Sequence, residues 1–209
     1  MREGLEVSLM PISIVYAYYK NIERIRIRNT IHYLKRCLPP FLDVGCGSKE
    51  ISKAVGAVTV DVNRKHMPDV VASILHLPFR DSCFETVSAF EVIEHVENDE
   101  LALQELKRVS RNKVIFTVPN ALRYNLPLFP LKRRRVMSPD HKREYTLKEV
   151  LQLISKAKMR ITMLKGIGYC VPLSFLSLHI GLEIFPSIFP QFATYIYVEC
   201  TKKYKDYVH

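Results

Sequence analysis

Short apolar runs alternate with helical patterns from residue 41 onward, and this order restricts the possible folds more than any other feature. Apolar runs that predict strands occupy residues 41–44, 57–60, 70–72, 86–90, 114–118, 160–164 and 193–200, and helical patterns occupy residues 99–110 and 147–158. Strands that alternate with helices at this spacing predict βαβ units and a parallel sheet. The sequence therefore predicts an α/β fold with about seven strands.

A basic amphipathic helix and two irregular segments accompany this alternating core. Residues 12–37 carry apolar side chains at helical spacing, with arginines on the other faces. Irregular segments 120–146 and 169–192 interrupt the alternation. Because the chain of 209 residues is only modestly longer than a domain of about 150 residues, we predict one domain over residues 1–209. Its helical cap is residues 1–38, and the irregular segments are insertions.

The charge balance bears on the partners of the chain. The 31 Lys and Arg residues exceed the 21 Asp and Glu residues by ten, which gives a net charge of +10. Such a charge suits nucleic acid, because phosphates are neutralised by Lys and Arg. However, the basic residues are spread along the chain, and their densest cluster, residues 132–135, has no neighbouring aromatic platform. A charge run of this kind is usually a solvated face, so we expect no nucleic-acid partner.

Cysteine usage and hydropathy indicate the compartment. The five cysteines form no Cys-x-x-Cys pair, which predicts reduced thiols, no disulfide framework and no metal site. The apolar region 169–198 is split by Glu183 and three prolines, so we predict no transmembrane helix there. No secretory cleavage pattern follows the apolar stretch 11–19. We therefore expect a cytoplasmic chain.

The strongest local signal is the strand that ends in Gly45-Cys46-Gly47. Glycines at this place let the backbone approach a ligand at the carboxyl edge of a sheet, although any tight turn between a strand and a helix could also use them. The next predicted strand ends at Asp61, 14 residues after Gly47. A carboxylate at that position can accept two hydrogen bonds from a ribose diol, and it can equally cap a turn.

A third segment links these two signals to a known family. Leu77-Pro78-Phe79-Arg80-Asp81 leads into a strand that is followed by Glu94-His95-Val96. Together with Leu42-Asp43-Val44-Gly45-Cys46-Gly47 and Asp61, these motifs resemble those of the class I S-adenosylmethionine-dependent methyltransferases of the type 11 branch. The resemblance continues through residues 106–109, 116–120 and 141–146, and it covers about residues 41 to 164.

The resemblance implies a Rossmann-like, doubly wound sheet of seven strands, mostly parallel, with an antiparallel last strand. It also implies S-adenosylmethionine as the cofactor and methyl transfer as the activity. By the same resemblance the cofactor-binding residues would be Asp43, Gly45, Cys46, Gly47, Asp61, Val62, Ser73, Ile74 and Phe90. In that set, Asp43 supports the ammonium group, Asp61 holds the ribose hydroxyls and Val62 packs on the adenine.

The sequence departs from the family pattern at two places. Lys49 stands where the family usually has a third glycine, and its side chain limits how closely the following helix can approach a ligand. Ser73 stands where an acidic residue usually accepts the adenine amino hydrogens. A hydroxyl lacks the charge of a carboxylate, so we expect cofactor binding to be weaker by about 1 kcal/mol.

Two histidines are candidates for proton transfer. Methyl transfer from a sulfonium needs an acceptor held in line and shielded from water, and a hydroxyl acceptor also benefits from a general base. His95 follows two glutamates at the start of a helical stretch, which favours a structural or cofactor-supporting role. His141 lies in the first insertion, at the expected mouth of the cleft, and we predict it as the catalytic residue.

No sequence motif identifies the methyl acceptor. The second insertion carries many apolar residues between positions 171 and 192. These residues would pack on the sheet, form a homodimer interface, line a channel for a lipid-like acceptor or contact a membrane surface. We predict a small-molecule or lipid-like acceptor, with an RNA methyltransferase or a non-catalytic S-adenosylmethionine-binding protein as alternatives. A nicotinamide oxidoreductase is disfavoured, because Glu50 occupies the last glycine position of the Gly-x-Gly-x-x-Gly pattern.

Overall fold

The computed structural model of the protein describes residues 12–122, 139–169 and 188–202. Most of the two predicted insertions lies outside these ranges. The basic cluster 132–135 and the apolar residues 171–187, on which the membrane and dimer hypotheses depend, are therefore outside the described residues. In the described ranges, no helix is both long enough and apolar enough to cross a membrane.

The described residues form four α-helices and seven strands. The helices are α1 (Ile12–Leu34), α2 (Glu50–Val55), α3 (Asp99–Val109) and α4 (Leu147–Lys156). The strands are β1 (Phe41–Val44), β2 (Val58–Asp61), β3 (Val70–Val71), β4 (Phe84–Phe90), β5 (Ser110–Pro119), β6 (Met159–Tyr169) and β7 (Ala193–Lys202). Three short 3-10 turns lie at Arg64–His66, Ile93–His95 and Pro190–Phe192.

The strands form one sheet in the order β3-β2-β1-β4-β5-β7-β6. The pairs β3–β2, β2–β1, β1–β4 and β4–β5 are parallel, whereas β7 runs antiparallel to both β5 and β6. The predicted Rossmann-like sheet with an antiparallel last strand is thus confirmed. The chain order reverses between β1 and β4, so ligands are expected where the carboxyl ends of these strands meet.

Apolar side chains cover the sheet on both faces, because neighbouring residues of a strand point to opposite sides. In β5, Val114, Phe116 and Val118 pack on one face with residues of α3 and α4. Ile115 points to the other face, where it joins Leu34 of α1 and Tyr197 of β7. The first face holds the larger core, and α1 with α2 covers the second.

Two strands are several residues longer than the sequence pattern predicts, and β4 and β7 are each two residues longer. β5 begins at Ser110, directly after α3, and β6 continues to Tyr169. Both pair with β7, whose apolar side chains are almost fully buried. Backbone pairing therefore extends both strands beyond the apolar runs from which they were predicted. Cys37, Cys46, Cys83 and Cys200 are free thiols, and Cys46 and Cys200 are buried.

Candidate active site at the carboxyl edge of the sheet

The loop after β1 is hydrogen-bonded to the neighbouring strand β2. The backbone N–H groups of Gly45 and Cys46 donate to the carbonyl oxygen of Val60, at 2.7 and 3.2 Å. Gly45 has a φ of +74°, and a Cβ there would lie 2.3 Å from a methyl carbon of Val92. Only glycine fits this position without displacing Val92, which follows β4. The loops after β1 and β4 are therefore in direct contact.

Gly47 and Lys49 form the turn into α2, and both have positive φ. Gly47 has a φ of +47°, and a Cβ built there meets no atom within 4 Å. Lys49, in the place of the missing third glycine, has a φ of +61°. Its ammonium group donates to the main-chain oxygen of Met67, so the side chain lies against the segment after β2. The space beside Gly47 is open to a ligand.

Asp61 lies at the carboxyl end of β2 and is 8% exposed. One carboxylate oxygen accepts from the backbone N–H of Gly47 at 3.1 Å, and the other accepts from the N–H of Asn63 at 2.8 Å. Burial works to raise the pKa of Asp61, but the hydrogen bonds from Asn63, His66 and Gly47 lower the pKa overall. Asp61 is thus a fixed, ionised acceptor beside the glycine loop.

His66 is a partner of Asp61 that the sequence analysis did not single out. Its Nδ1 lies 2.8 Å from the Asp61 oxygen that also binds Gly47, and the His66 side chain is 39% exposed. A ribose diol bound to Asp61 would have to share this oxygen with the imidazole or displace it. The five-residue spacing gave no sign of this contact, because a 3-10 turn at Arg64–His66 reverses the chain.

Asp43 lies in the middle of this edge, beneath the loop after β1, and is buried. Its two carboxylate oxygens accept from the hydroxyls of Ser52 at 2.5 Å and Ser88 at 2.9 Å. Burial raises the pKa of Asp43 from 3.8 to about 6, against the opposing effects of both serines and of the Arg26 guanidinium. Asp43 therefore supports the loop from below, held by α2 and β4.

The remaining predicted cofactor residues lie along the same edge with different exposures. Val62 is 67% exposed. The Ser73 hydroxyl accepts from the backbone N–H of Leu75 at 3.2 Å, whereas Ile74 is buried in the core. Phe90 packs with Leu34 on the α1 face, so only its main chain can reach the edge.

A second polar group lies where the chain leaves β4. His141, the predicted catalytic residue, contacts His95, with ring centroids 4.7 Å apart and an interplanar angle of 89°. Nδ1 of His141 lies 2.9 Å from a carboxylate oxygen of the buried Glu144. Glu94, between these elements, is fully buried. Sequence patterns pointed to His95 and His141 separately and to no role for Glu94 or Glu144.

These features agree with the fold that the sequence resemblance predicts. A doubly wound sheet of seven strands with an antiparallel last strand, a glycine turn after β1 and a buried acid after β2 are together the architecture of a class I methyltransferase. Residues 42–118 match the family model described as "Methyltransferase domain", type 11. This match supports the predicted resemblance to the class I, type 11 methyltransferases over that part of the chain.

Known proteins are similar to this chain at two levels. The uncharacterized protein MJ0638 of Methanocaldococcus jannaschii is 34% identical over 82 residues, which are 34% of this chain and 36% of that protein. The chain thus spans about a third of the length of this relative. An S-adenosylmethionine-dependent methyltransferase of Thermotoga maritima is 17% identical with a TM-score of 0.58, and the match covers 91% of this chain and 96% of that one.

A Haloferax volcanii methyltransferase, solved in complex with the Trm112 methyltransferase activator, is 13% identical with a TM-score of 0.59. This match covers 91% of this chain and 94% of that chain. At such low identity the two solved structures establish a shared fold and nothing finer, because one fold supports many functions. What this chain acts on has to be argued from its own residues.

Proposed function

We propose that the protein binds S-adenosylmethionine at the carboxyl edge of β1, β2 and β4 and transfers its methyl group to a small-molecule or lipid-like acceptor. The observation that carries this proposal is Asp61. Its ionised carboxylate is fixed at the end of β2 and bonded to the backbone of Gly47, beside a turn with open space. A carboxylate in this position is suited to accept from the two hydroxyls of a ribose.

The other residues of the edge fit the remaining parts of such a cofactor. Val62 offers an exposed apolar surface to the adenine. Arg26 of α1 is close enough to Asp43 to lower its pKa, and the Nε of Arg26 is buried without a hydrogen-bond partner. This guanidinium would hold the cofactor carboxylate, while Asp43 acts from below on the backbone that meets the ammonium group.

The cofactor brings an excellent leaving group, so the chain has to orient the acceptor and exclude water. Asp61 and the turn at Gly47 would fix the cofactor, and α1 would close the edge above Asp43 through Arg26. The polar group of His95, His141 and Glu144 lies after β4 and before α4, where an acceptor would approach. His141, held by Glu144 at Nδ1, is the residue proposed to contact the acceptor.

Titration calorimetry with S-adenosylmethionine, S-adenosylhomocysteine and NAD tests the binding step. We expect both adenosyl compounds to bind and NAD not to bind. Asp61→Asn removes the charge that receives the ribose and should weaken binding by about 1.5 to 3 kcal/mol, the usual range for hydrogen bonds to charged groups. Asp81→Asn is the matched control, because Asp81 is 76% exposed and precedes β4 at the opposite edge. Absence of binding by either adenosyl compound would refute the proposal.

The acceptor class is tested by transfer of a labelled methyl group to separate pools of small metabolites, lipids and RNA. The net charge of +10 favours RNA as the second candidate. Label in the metabolite or lipid pool supports the proposal. Label confined to nuclease-sensitive material would support the RNA reading instead, and cofactor binding without transfer to any pool would indicate a non-catalytic binding protein.

A further inference from the structure

Three side chains that can bind a metal meet after β4. Glu94 and His95 lie in the 3-10 turn Ile93–His95, and His141 lies in the segment that leads to α4. One possible ligand atom from each of the three lies within 4.8 Å of the other two. The two segments are joined by the backbone, because the N–H groups of Lys142 and Arg143 donate to the carbonyl oxygen of Glu94 at 2.9 and 3.3 Å. The cluster is therefore part of the fold.

Glu94 lacks what a buried carboxylate needs. It is 0% exposed, and neither of its carboxylate oxygens has a hydrogen-bond partner. A buried polar group without a hydrogen-bond partner destabilises the folded protein. Asp43, by contrast, receives two serine hydroxyls.

The histidines are oriented as metal ligands usually are. Nδ1 of His95 lies 3.1 Å from the main-chain oxygen of Asp140, and Nδ1 of His141 lies 2.9 Å from Glu144. An imidazole that donates from Nδ1 keeps an unprotonated Nε2, which can bind a cation. A carboxylate behind a histidine is a common device for orienting the ring and making it a stronger ligand.

We propose that Glu94, His95 and His141 bind a divalent transition-metal ion, with Zn²⁺ as the committed ion and Glu144 as a positioning residue. Two imidazoles and one carboxylate suit such ions, and three protein ligands leave a coordination position open for an oxygen. Metal–ligand distances of about 2.0 to 2.2 Å put tetrahedral ligand atoms about 3.3 to 3.6 Å apart. Ligand atoms separated by as much as 4.8 Å would therefore approach one another by up to about 1.5 Å. Side-chain rotation supplies such a movement.

This assignment goes beyond the proposed methyl transfer and does not depend on it. It gives His141 a different role from proton removal or direct contact with the acceptor, because a ring nitrogen bound to a metal has no free lone pair and Nδ1 is bonded to Glu144. It also departs from the expectation of no metal site, which rested on cysteine spacing. The site adjoins the cofactor edge, since Val92 contacts Gly45 and lies two residues before Glu94. An oxygen on the ion would therefore lie near the bound cofactor.

The test is direct metal binding by the full chain, purified without a histidine tag and stripped with a chelator. Calorimetry with Zn²⁺ and the visible absorption of added Co²⁺ report the site in the absence of any methyl donor. We expect one equivalent to bind. Glu94→Gln and His141→Asn should each weaken Zn²⁺ at least tenfold, and Glu144→Gln should weaken it about 10- to 100-fold. His76→Asn, at an exposed histidine, is the matched control and should bind as the wild type does.

Two results would overturn the proposal. One is the absence of stoichiometric Zn²⁺ binding by the folded wild type. The other is unchanged binding in Glu94→Gln, which removes the ionisable carboxyl group but keeps the side-chain shape and should fold. Circular dichroism of each variant separates loss of the site from loss of the fold. Because calorimetry with S-adenosylmethionine is a separate measurement, failure of either proposal is visible without the other.

Discussion

Asp43 and Glu94 are two buried carboxylates at one edge of the sheet, and they differ in their partners. Asp43 accepts from two serine hydroxyls, and its pKa is raised to about 6. Neither carboxylate oxygen of Glu94 has a hydrogen-bond partner, and the pKa of Glu94 is raised well above the usual value. Burial is the largest cause of both shifts. The difference between them lies in the donors that the fold supplies.

This difference distinguishes the structural role of Asp43 from the proposed metal-binding role of Glu94. A carboxylate whose two oxygens both accept hydrogen bonds from the chain holds its neighbours in place. Asp43 holds the loop after β1 in this way. A carboxylate with neither oxygen satisfied is stabilised by a proton or by a cation from outside. The Arg26 guanidinium lowers the pKa of both groups, so a shared cation does not explain the contrast.

The contact between Gly45 and Val92 joins the two regions, and a methyl group at Gly45 should disturb it strongly. Gly45→Ala combines the cost of a positive φ, about 1 to 2 kcal/mol, with overpacking against Val92, about 1 to 3 kcal/mol. We expect the free energy of unfolding to fall by about 2 to 5 kcal/mol. Urea unfolding measures this change.

Gly56→Ala is the control for Gly45→Ala. Gly56 also has a positive φ, +67°, but a Cβ there meets no atom within 4 Å. Its substitution should cost only the backbone contribution of about 1 to 2 kcal/mol. Adding Val92→Ala to Gly45→Ala should recover part of the lost stability. Equal losses of unfolding free energy at both glycines would mean that the loops after β1 and β4 are not tightly packed against each other.

The two carboxylates should also differ in their effect on stability as the pH rises. The pKa of Asp43 is higher in the folded protein, about 6, than its ordinary value of 3.8. Folding therefore favours the protonated group, so its contribution is fully present below about pH 4 and is lost by pH 6. The loss is about 3 kcal/mol, since one pKa unit corresponds to about 1.4 kcal/mol.

Urea unfolding of the wild type and Asp43→Asn between pH 4 and 7 measures this loss. The wild type should lose stability relative to the variant as the pH rises. The same comparison with Glu94→Gln, in metal-free protein, should show a loss that begins near pH 4.5 and continues to higher pH, because the folded pKa of Glu94 lies well above 4.5. Zn²⁺ should abolish the second loss and leave the first unchanged. Parallel pH curves for the two variants would contradict the contrast.

The fold was predictable because its signals are local. Alternating apolar runs gave the strands, and β1 and β2 end where the sequence placed Gly45 and Asp61. The limits of β5 and β6 were not predictable in the same way, since Ser110 pairs with Phe84 of β4 and Tyr169 pairs with Ala193 of β7. Ser110 and Tyr169 became strand residues through partners that lie far away in sequence.

The site was only partly predictable. Asp43, Asp61 and the glycine turn carry a pattern that can be read in sequence order. The contact of His66 with Asp61 depends on the turn at Arg64–His66, and the meeting of Glu94 with His141 spans 47 residues and requires the folded sheet. A buried carboxylate without a donor has no signature in one sequence, because its cost arises only when the surrounding elements exclude water.

A substitution at Thr146 has the smallest expected effect, and it tests whether the start of α4 positions His141 beside Glu94. Thr146 begins α4 with a capping box, in which the Thr146 hydroxyl accepts from the N–H of Glu149 and the Glu149 carboxylate receives the N–H of Thr146. Thr146→Ala should lower the free energy of unfolding by about 1 kcal/mol. Zn²⁺ affinity should change less than tenfold, since the segment is also held where the Ala121 N–H donates to the carbonyl oxygen of Tyr145 at 2.9 Å. A large loss of Zn²⁺ affinity with intact stability would show that the helix cap, rather than this backbone pairing, positions His141.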